Sequence, residues 1–261
     1  MQPFSLLFFG ASMLVVLVSG QTSDYCSPDL CKNGITHIAC GHSGQFSEEC
    51  PSDAVMINID DKLKKAIVKA HNTKRNLIAG GGDANHGPAC RMATMRWDDE
   101  LAKIAALNVR QCQMAHDKCR NTKAFKYSGQ NLAFMGFTGT AKDVDMLTKA
   151  VQLWYDEVKD SKMKYIKKYP KNYSGKTIGH FTVMVADRNV RVGCAATTYS
   201  VPGKPYKAYL VACNYATTNM IDQPIYASCP KAAAGCKTGT NKNFPNLCSA
   251  KEKYAVNKFK L

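Results

Sequence analysis

Histidine and cysteine carry most of the chemistry open to this chain, and their spacing narrows it. The segment Gly179-His180-Phe181-Thr182-Val183-Met184-Val185-Ala186-Asp187-Arg188 runs on to Val192-Gly193-Cys194-Ala195, setting one histidine at a fixed offset before a cysteine. A second run, Tyr209-Leu210-Val211-Ala212-Cys213-Asn214-Tyr215, offers that cysteine a nearby mate. The chain has 12 cysteines, an even number, which in a secreted protein favours a full disulfide set. A zinc site built on Cys26 and Cys31 with a later pair is the weaker reading, because no CxxC occurs. A hydrolase would need an activated nucleophile or a metal-bound water, yet neither a nucleophile elbow nor HExxH is present. Thr182 and Ser128 carry no mark of activation. His71 falls beside Ile67 on helical spacing and reads as a core residue. His37, His42 and His86 lie in Gly- or Cys-rich loops and carry no usable signal.

The compartment follows from the first residues. Phe4 to Val18 is apolar and uncharged and ends in Val18-Ser19-Gly20, which predicts a cleaved signal peptide over residues 1–20, although the usual leading Lys or Arg is missing. No later stretch is long and apolar enough to predict a transmembrane anchor. Formal charge is +15 and the pI is near 9.3. Outside the cell such a surface meets sulfated glycans, anionic lipid, host plasma proteins or released polyanions, and no nucleic acid partner within the cell is expected. Lys62, Lys64, Lys65, Lys69, Lys74 and Arg75 form one basic cluster; Lys159, Lys162, Lys164, Lys167, Lys168 and Lys171 form another. Both read as solvated faces.

The elements that must position these groups fall into three segments. Residues 21–57 form a cysteine-rich, turn-rich extension, 58–219 carry the periodic apolar signal of a domain, and 220–261 form a basic, cysteine-containing tail. Asp60 caps a helix with an apolar face of Leu63, Ile67, Ala70 and Leu77, ending at Gly80-Gly81-Gly82. Asp98, Asp99 and Glu100 open a second helix carrying Leu101, Ile104, Ala105 and Cys112. Thr140 with Asp143 predicts a capping box for a third, whose face is Val144, Leu147, Val151, Trp154 and Val158. Arg191–Tyr199 and Tyr206–Tyr215 predict antiparallel strands joined through Pro202-Gly203. Helices early and strands late give an α+β class. Phe134, Met135 and Phe137 could line a hydrophobic slot, with core packing the stronger reading. Asn172-Tyr173-Ser174 is a glycosylation sequon, and no Arg-Gly-Asp occurs.

Several motifs occur together in order: Tyr25-Cys26 with Cys31, Cys40 and Cys50; His71-Asn72 followed by Arg75; Gln111-Cys112-Gln113-Met114-Ala115-His116-Asp117-Lys118-Cys119-Arg120; Gly129-Gln130-Asn131-Leu132; Trp154-Tyr155-Asp156-Glu157-Val158; and the His180 and Cys213 runs. Together they resemble the CAP superfamily of cysteine-rich secretory, antigen 5 and pathogenesis-related class 1 proteins, most closely insect antigen 5. The tail Thr238-Gly239-Thr240-Asn241 with Phe244-Pro245-Asn246-Leu247-Cys248-Ser249 looks like the fly type. The resemblance implies an α-β-α sandwich with pairs Cys26–Cys40, Cys31–Cys119, Cys50–Cys112 and Cys194–Cys213. The other four cysteines lie outside the shared pattern; Cys236–Cys248 and Cys90–Cys229 are the expected pairs.

The family pocket maps to His116, Gln130, Glu157 and His180. Gln130 stands where many relatives have glutamate, so the resemblance implies at most a weakly bound divalent cation, zinc by ligand type, and no obligate cofactor. The same four groups could equally just satisfy one another's hydrogen bonds. Val183 and Ala186 depart from the common run after His180, which weakens a polar catalytic network. The implied function is that of a secreted, monomeric, non-enzymatic antigen 5-like protein of the saliva or venom allergen type, binding a host protein, lipid or polyanion. The alternatives are a weak metal-dependent hydrolase with Glu157 as base, and a lipid or sterol carrier.

Overall fold

The computed structural model describes residues 24–259, so the signal segment expected at residues 1–20 lies outside the described residues. Helix α1 (Asp61–Ala79) starts where Asp60 accepts a hydrogen bond from Leu63 N at 2.9 Å. Helix α2 (Asp99–Val109) starts the same way, with Asp98 accepting from Leu101 N at 3.0 Å. In both, a short carboxylate satisfies one amide left free at the helix start. Cys112 lies beyond α2, not on it: its φ of 53° turns the chain out of the helix, and its sulfur is tied to Cys50.

Helix α3 (Asp143–Tyr155) has no side-chain cap, which corrects the expected Thr140–Asp143 box. Asp143 instead accepts from the Tyr209 hydroxyl at 3.0 Å and fastens the helix to the sheet. Leu147, Val151 and Trp154 face the core, whereas Val144 is at the surface and Val158 falls in the 3-10 turn Asp156–Asp160. Two short helices follow, α4 (Met163–Lys167) and α5 (Gly179–Val185).

The strands are β1 (Val55–Met56), β2 (Arg96–Trp97), β3 (Gly129–Phe137), β4 (Arg191–Ser200) and β5 (Lys207–Tyr215). Their order is β1-β4-β5-β3, all antiparallel, with β2 lying parallel to one end of β4. Alternate residues send side chains to opposite faces. Val192, Cys194, Ala196, Tyr209, Val211 and Cys213 pack into the larger core with residues of α1, α3 and α5. Ala195, Leu210, Ala212 and Leu132 pack with Ala105 and Val109 of α2. The result is three layers: α2, the sheet, and the remaining helices. Gly193 sets the spacing on the α2 side, since a Cβ there would sit 2.2 Å from Ala102 N and 2.4 Å from Asp98 O.

The inward stripe of α1 is Ile67, His71, Asn72, Arg75, Ile78 and Ala79, with Leu77 45% exposed. Arg75 is therefore no member of a solvated face. It is fully buried and donates to the carbonyls of Ala93, Met184 and Ala186 at 2.6–3.2 Å. Phe134 leaves the sheet on the face opposite to Met135 and Phe137, so the three line no common slot; Met135 and Phe137 pack in the larger core.

All 12 cysteines are paired: Cys26–Cys40, Cys31–Cys119, Cys50–Cys112, Cys90–Cys229, Cys194–Cys213 and Cys236–Cys248. Cys194 and Cys213 are direct cross-strand partners, 4.0 Å apart at Cα. The segment 220–259 has no helix or long strand, and a buried carboxylate gathers its turns. Glu252 accepts from Arg91 Nε at 2.7 Å, Thr238 N at 2.8 Å and Lys237 N at 3.2 Å. Burial would raise its pKa, but these donors and the Thr238 hydroxyl hold it at about 2.

Candidate functional site

His180 stands in the first turn of α5, and the 3-10 turn after α3 presents Glu157 to it. His180 Nδ1 donates to Glu157 Oε1 at 2.6 Å, and Phe181 N donates to Oε2 at 3.0 Å. Both oxygens of Glu157 are thus engaged, one orienting a ring and one satisfying an amide at the helix start. His116 lies in the loop before β3 and donates from Nδ1 to Gln130 Oε1 at 2.7 Å. The Gln130 amide is fixed from behind, since its Nε2 donates to Asp117 Oδ2 at 2.7 Å and Asn214 Oδ1 at 3.0 Å. Asp117 also accepts from Arg120 Nε at 2.7 Å and Asn108 Nδ2 at 3.0 Å. Asp117 is therefore the anchor of this half of the site.

Two consequences follow from these partners. Each imidazole carries its proton on Nδ1, because only acceptors face that atom. Nε2 of each ring has no partner among the described residues and, in the neutral Nδ1–H tautomer, is a lone pair. This is the tautomer a metal-ligating or proton-accepting histidine uses. The four residues nevertheless form two separate pairs, with no hydrogen bond or ion pair between them among the described residues. Nor do three His, Cys, Asp or Glu side chains gather closely enough there to hold a metal ion. Gln130 and Glu157 hold the rings; they do not offer free oxygens beside them.

The two pairs meet neighbouring residues of β3. Gln130 contacts His116 from one face of the strand, while Asn131 donates to His180 O at 3.1 Å and to the Tyr215 hydroxyl at 3.2 Å from the other. Behind them lies His71, whose Nδ1 donates to Ile67 O at 2.8 Å and whose Nε2 accepts from Tyr215 at 3.0 Å. Complete burial pushes its pKa down to about 4, so it is neutral and structural.

The other histidines also have defined partners. His37 uses both ring nitrogens locally, against Asn121 O and Ala39 N, and stacks on Tyr25. His86 sits between Asp83 Oδ1 at 3.0 Å and Ser161 Oγ at 3.1 Å, the atomic order of a nucleophile triad. Ser161 is 0% exposed and His86 3%, so no substrate reaches them and the trio ties two loops together. Asn172 and Ser174 of the sequon are exposed. Among the described residues, no helix is long and apolar enough to cross a membrane.

Asp117, Asn214 and Asn131 were not singled out from sequence. The signal available for Asp117 was its place in the motif directly after His116; for the two asparagines it was a polar residue inside an apolar strand, which needs a partner.

The comparisons with known proteins agree with this architecture. The model of the cysteine-rich secretory protein family, CAP, matches residues 68–215, more than half of the chain. Venom allergen-1 of Aedes aegypti is 43% identical over 91% of this chain and 92% of its own length. Antigen 5 like allergen Cul n 1 of Culicoides nubeculosus is 42% identical over 69% of this chain and 85% of its own length. The crystal structure of NaASP2 with Zn2+ superposes with a TM-score of 0.61 at 23% identity, covering 77% of this chain and 100% of that one, and shows the shared fold. Six disulfides mark an extracellular protein. This chain belongs to the cysteine-rich secretory protein (CAP) family, among its antigen 5 and venom allergen relatives.

Proposed function

We propose that the protein is a secreted, non-enzymatic, monomeric antigen 5-like factor of the saliva or venom type, acting by binding an extracellular host partner, and blunting haemostasis or immunity if its source feeds on blood. The observation that carries this reading is the state of Glu157. For Glu157 to be the base of a hydrolase one of its oxygens must reach a water, and each already accepts a hydrogen bond, at 2.6 and 3.0 Å. His180 Nε2 is open, but it has no nucleophile to serve: Ser128 and Thr182 are buried, with their hydroxyls donating to Tyr215 O and Ile178 O. A resident zinc of the catalytic kind takes three protein ligands and keeps one open position, and no such trio is gathered among the described residues.

The donors left for a looser cation are two imidazole nitrogens. Nε2 of His116 and of His180 would hold it, with Gln130 and Glu157 orienting the rings. Such a cation would supply Lewis acidity and positive charge at partly exposed rings whose neighbouring carboxylate is already engaged. Among the possible partners, the charge of +15 favours polyanions over neutral lipid. Asn172 is the position we expect to carry an N-linked glycan, since the sequon is exposed.

The test is hydrolysis of protein and ester substrates with and without added zinc, on the natural protein and Glu157→Gln. The expected result is no turnover above buffer for either. A chelator-sensitive rate that disappears in Glu157→Gln would restore the hydrolase. Co-purified lipid in the mass spectrum of the native protein would favour the carrier.

A further inference from the structure

The N-terminal half of α1, strand β2 and the tail around Phe244 line an open cleft of about 960 Å³, well apart in the sequence from both histidine pairs. Its cations are Lys64, Lys65, Lys69 and Arg96, and its apolar wall is Trp97 with Phe244. Acids lie there too, but they are used: Asp99 accepts from Lys64 Nζ at 2.9 Å and from Trp97 Nε1 at 2.9 Å, and Asp61 lies 3.9 Å from the same lysine. Lys65, Lys69 and Arg96 are exposed and have no ion-pair partner among the described residues. Lys65 and Lys69 stand one helical turn apart, about 6 Å along the axis.

A second observation comes from the sheet. Arg96 is the register partner of Arg191 where β2 meets β4, and neither has an ion-pair partner among the described residues. Like charges placed opposite each other destabilise a sheet. Arg191 donates from Nη1 to Trp97 O at 3.1 Å, the backbone carbonyl of a cleft residue. Repulsion maintained in this way is relieved by an anion.

We propose that this cleft binds a sulfated saccharide of the glycosaminoglycan kind. Sulfate groups fit Lys65, Lys69 and Arg96, which supply separate point charges and one planar fork. The carbon face of a pyranose ring fits the Trp97–Phe244 wall. The cleft is open to solvent, which suits a segment of a longer hydrophilic chain; an acyl tail would need to be enclosed on most sides. The inference rests on the extracellular-binding reading above and gives that reading a location and a ligand class.

The experiment is calorimetric titration of the intact, disulfide-bonded protein with a heparin-derived hexasaccharide and with its desulfated counterpart. The same titration is run on Lys65→Gln/Lys69→Gln, on Phe244→Leu, and on Lys162→Gln/Lys167→Gln, which removes equal charge from the other basic cluster. Thermal midpoints show that each variant is folded. The inference predicts binding of the sulfated form alone, weakened about tenfold by Lys65→Gln/Lys69→Gln, less by Phe244→Leu, and under about twofold by the distant pair. Equal weakening by both lysine pairs would overturn it, as would a failure of the natural protein to bind. Tighter capture by phosphatidylserine vesicles through the same lysines would also overturn it. Each of these leaves the hydrolysis test, and hence the non-enzymatic reading, untouched.

Discussion

His71 and His180 lie on two sides of one hydrogen-bond chain, yet their surroundings differ in kind. His71 is fully buried, uses both ring nitrogens, and is held neutral with its pKa pushed down to about 4 by burial. His180 keeps 28% of its side chain exposed and uses only Nδ1. Arg75 belongs with the first, a buried cation with its donors spread over three carbonyls. His116 belongs with the second. A polar group with every bond made is scaffold; one left with a free lone pair at the surface is available to a ligand.

Removing a scaffold group should therefore cost far more than removing a cleft group. The largest effect is expected for Arg75→Met, which strands the carbonyls of Ala93, Met184 and Ala186 in the core. A loss of about 3–5 kcal/mol is predicted by chemical denaturation, since each unsatisfied buried acceptor costs roughly 1–3 kcal/mol. A midpoint unchanged from the natural protein would break the distinction.

Next comes the pH dependence of His71. Its folded pKa of about 4 lies below the unfolded value of 6.5. The unfolded chain therefore binds more protons in that window, and the contribution is complete above 6.5 and lost as pH falls towards 4. Up to about 3 kcal/mol is at stake. Stability measured from pH 7 to 4 should fall more steeply in the natural protein than in His71→Gln, and parallel curves would refute the assignment.

Gly193→Ala sharpens the comparison from the opposite face. With Ala102 N 2.2 Å from the new methyl, α2 must lift, and about 1–3 kcal/mol should be lost. Smallest of all is His180→Ala, where breaking a partly exposed pair should cost under about 1 kcal/mol. A thermal midpoint several degrees lower would mean that His180 is scaffold too.

Much of the frame was legible in the sequence. Asp60 and Asp98 announce their helices because a short acceptor before an apolar periodic run has few other uses. The two long strands after Arg191 show in their β-branched and aromatic residues, and the turn between them in Pro202-Gly203. Strand β3 was not legible, because it is buried on both faces over most of its length and begins Gly-Gln-Asn, so no polar alternation marks it. The burial of Arg75 is hidden for a related reason: a lysine-rich helix face predicts solvent for every cation on it, and only the third dimension supplies the carbonyls that let one be buried. Of the site, the four named residues came from the family pattern. Their division into two pairs depends on Asp117 and on Asn131, whose partners are distant in sequence.

The most direct test is an imidazole nitrogen NMR titration of the natural protein, over pH and then with added zinc. The account predicts that His71 stays neutral to about pH 5, in the window set by its depressed pKa. It also predicts that zinc shifts Nε2 of His116 and His180 while leaving both nitrogens of His71 where they were. A His71 that titrates near 6.5, or zinc shifts at His71 equal to those at His180, would contradict it.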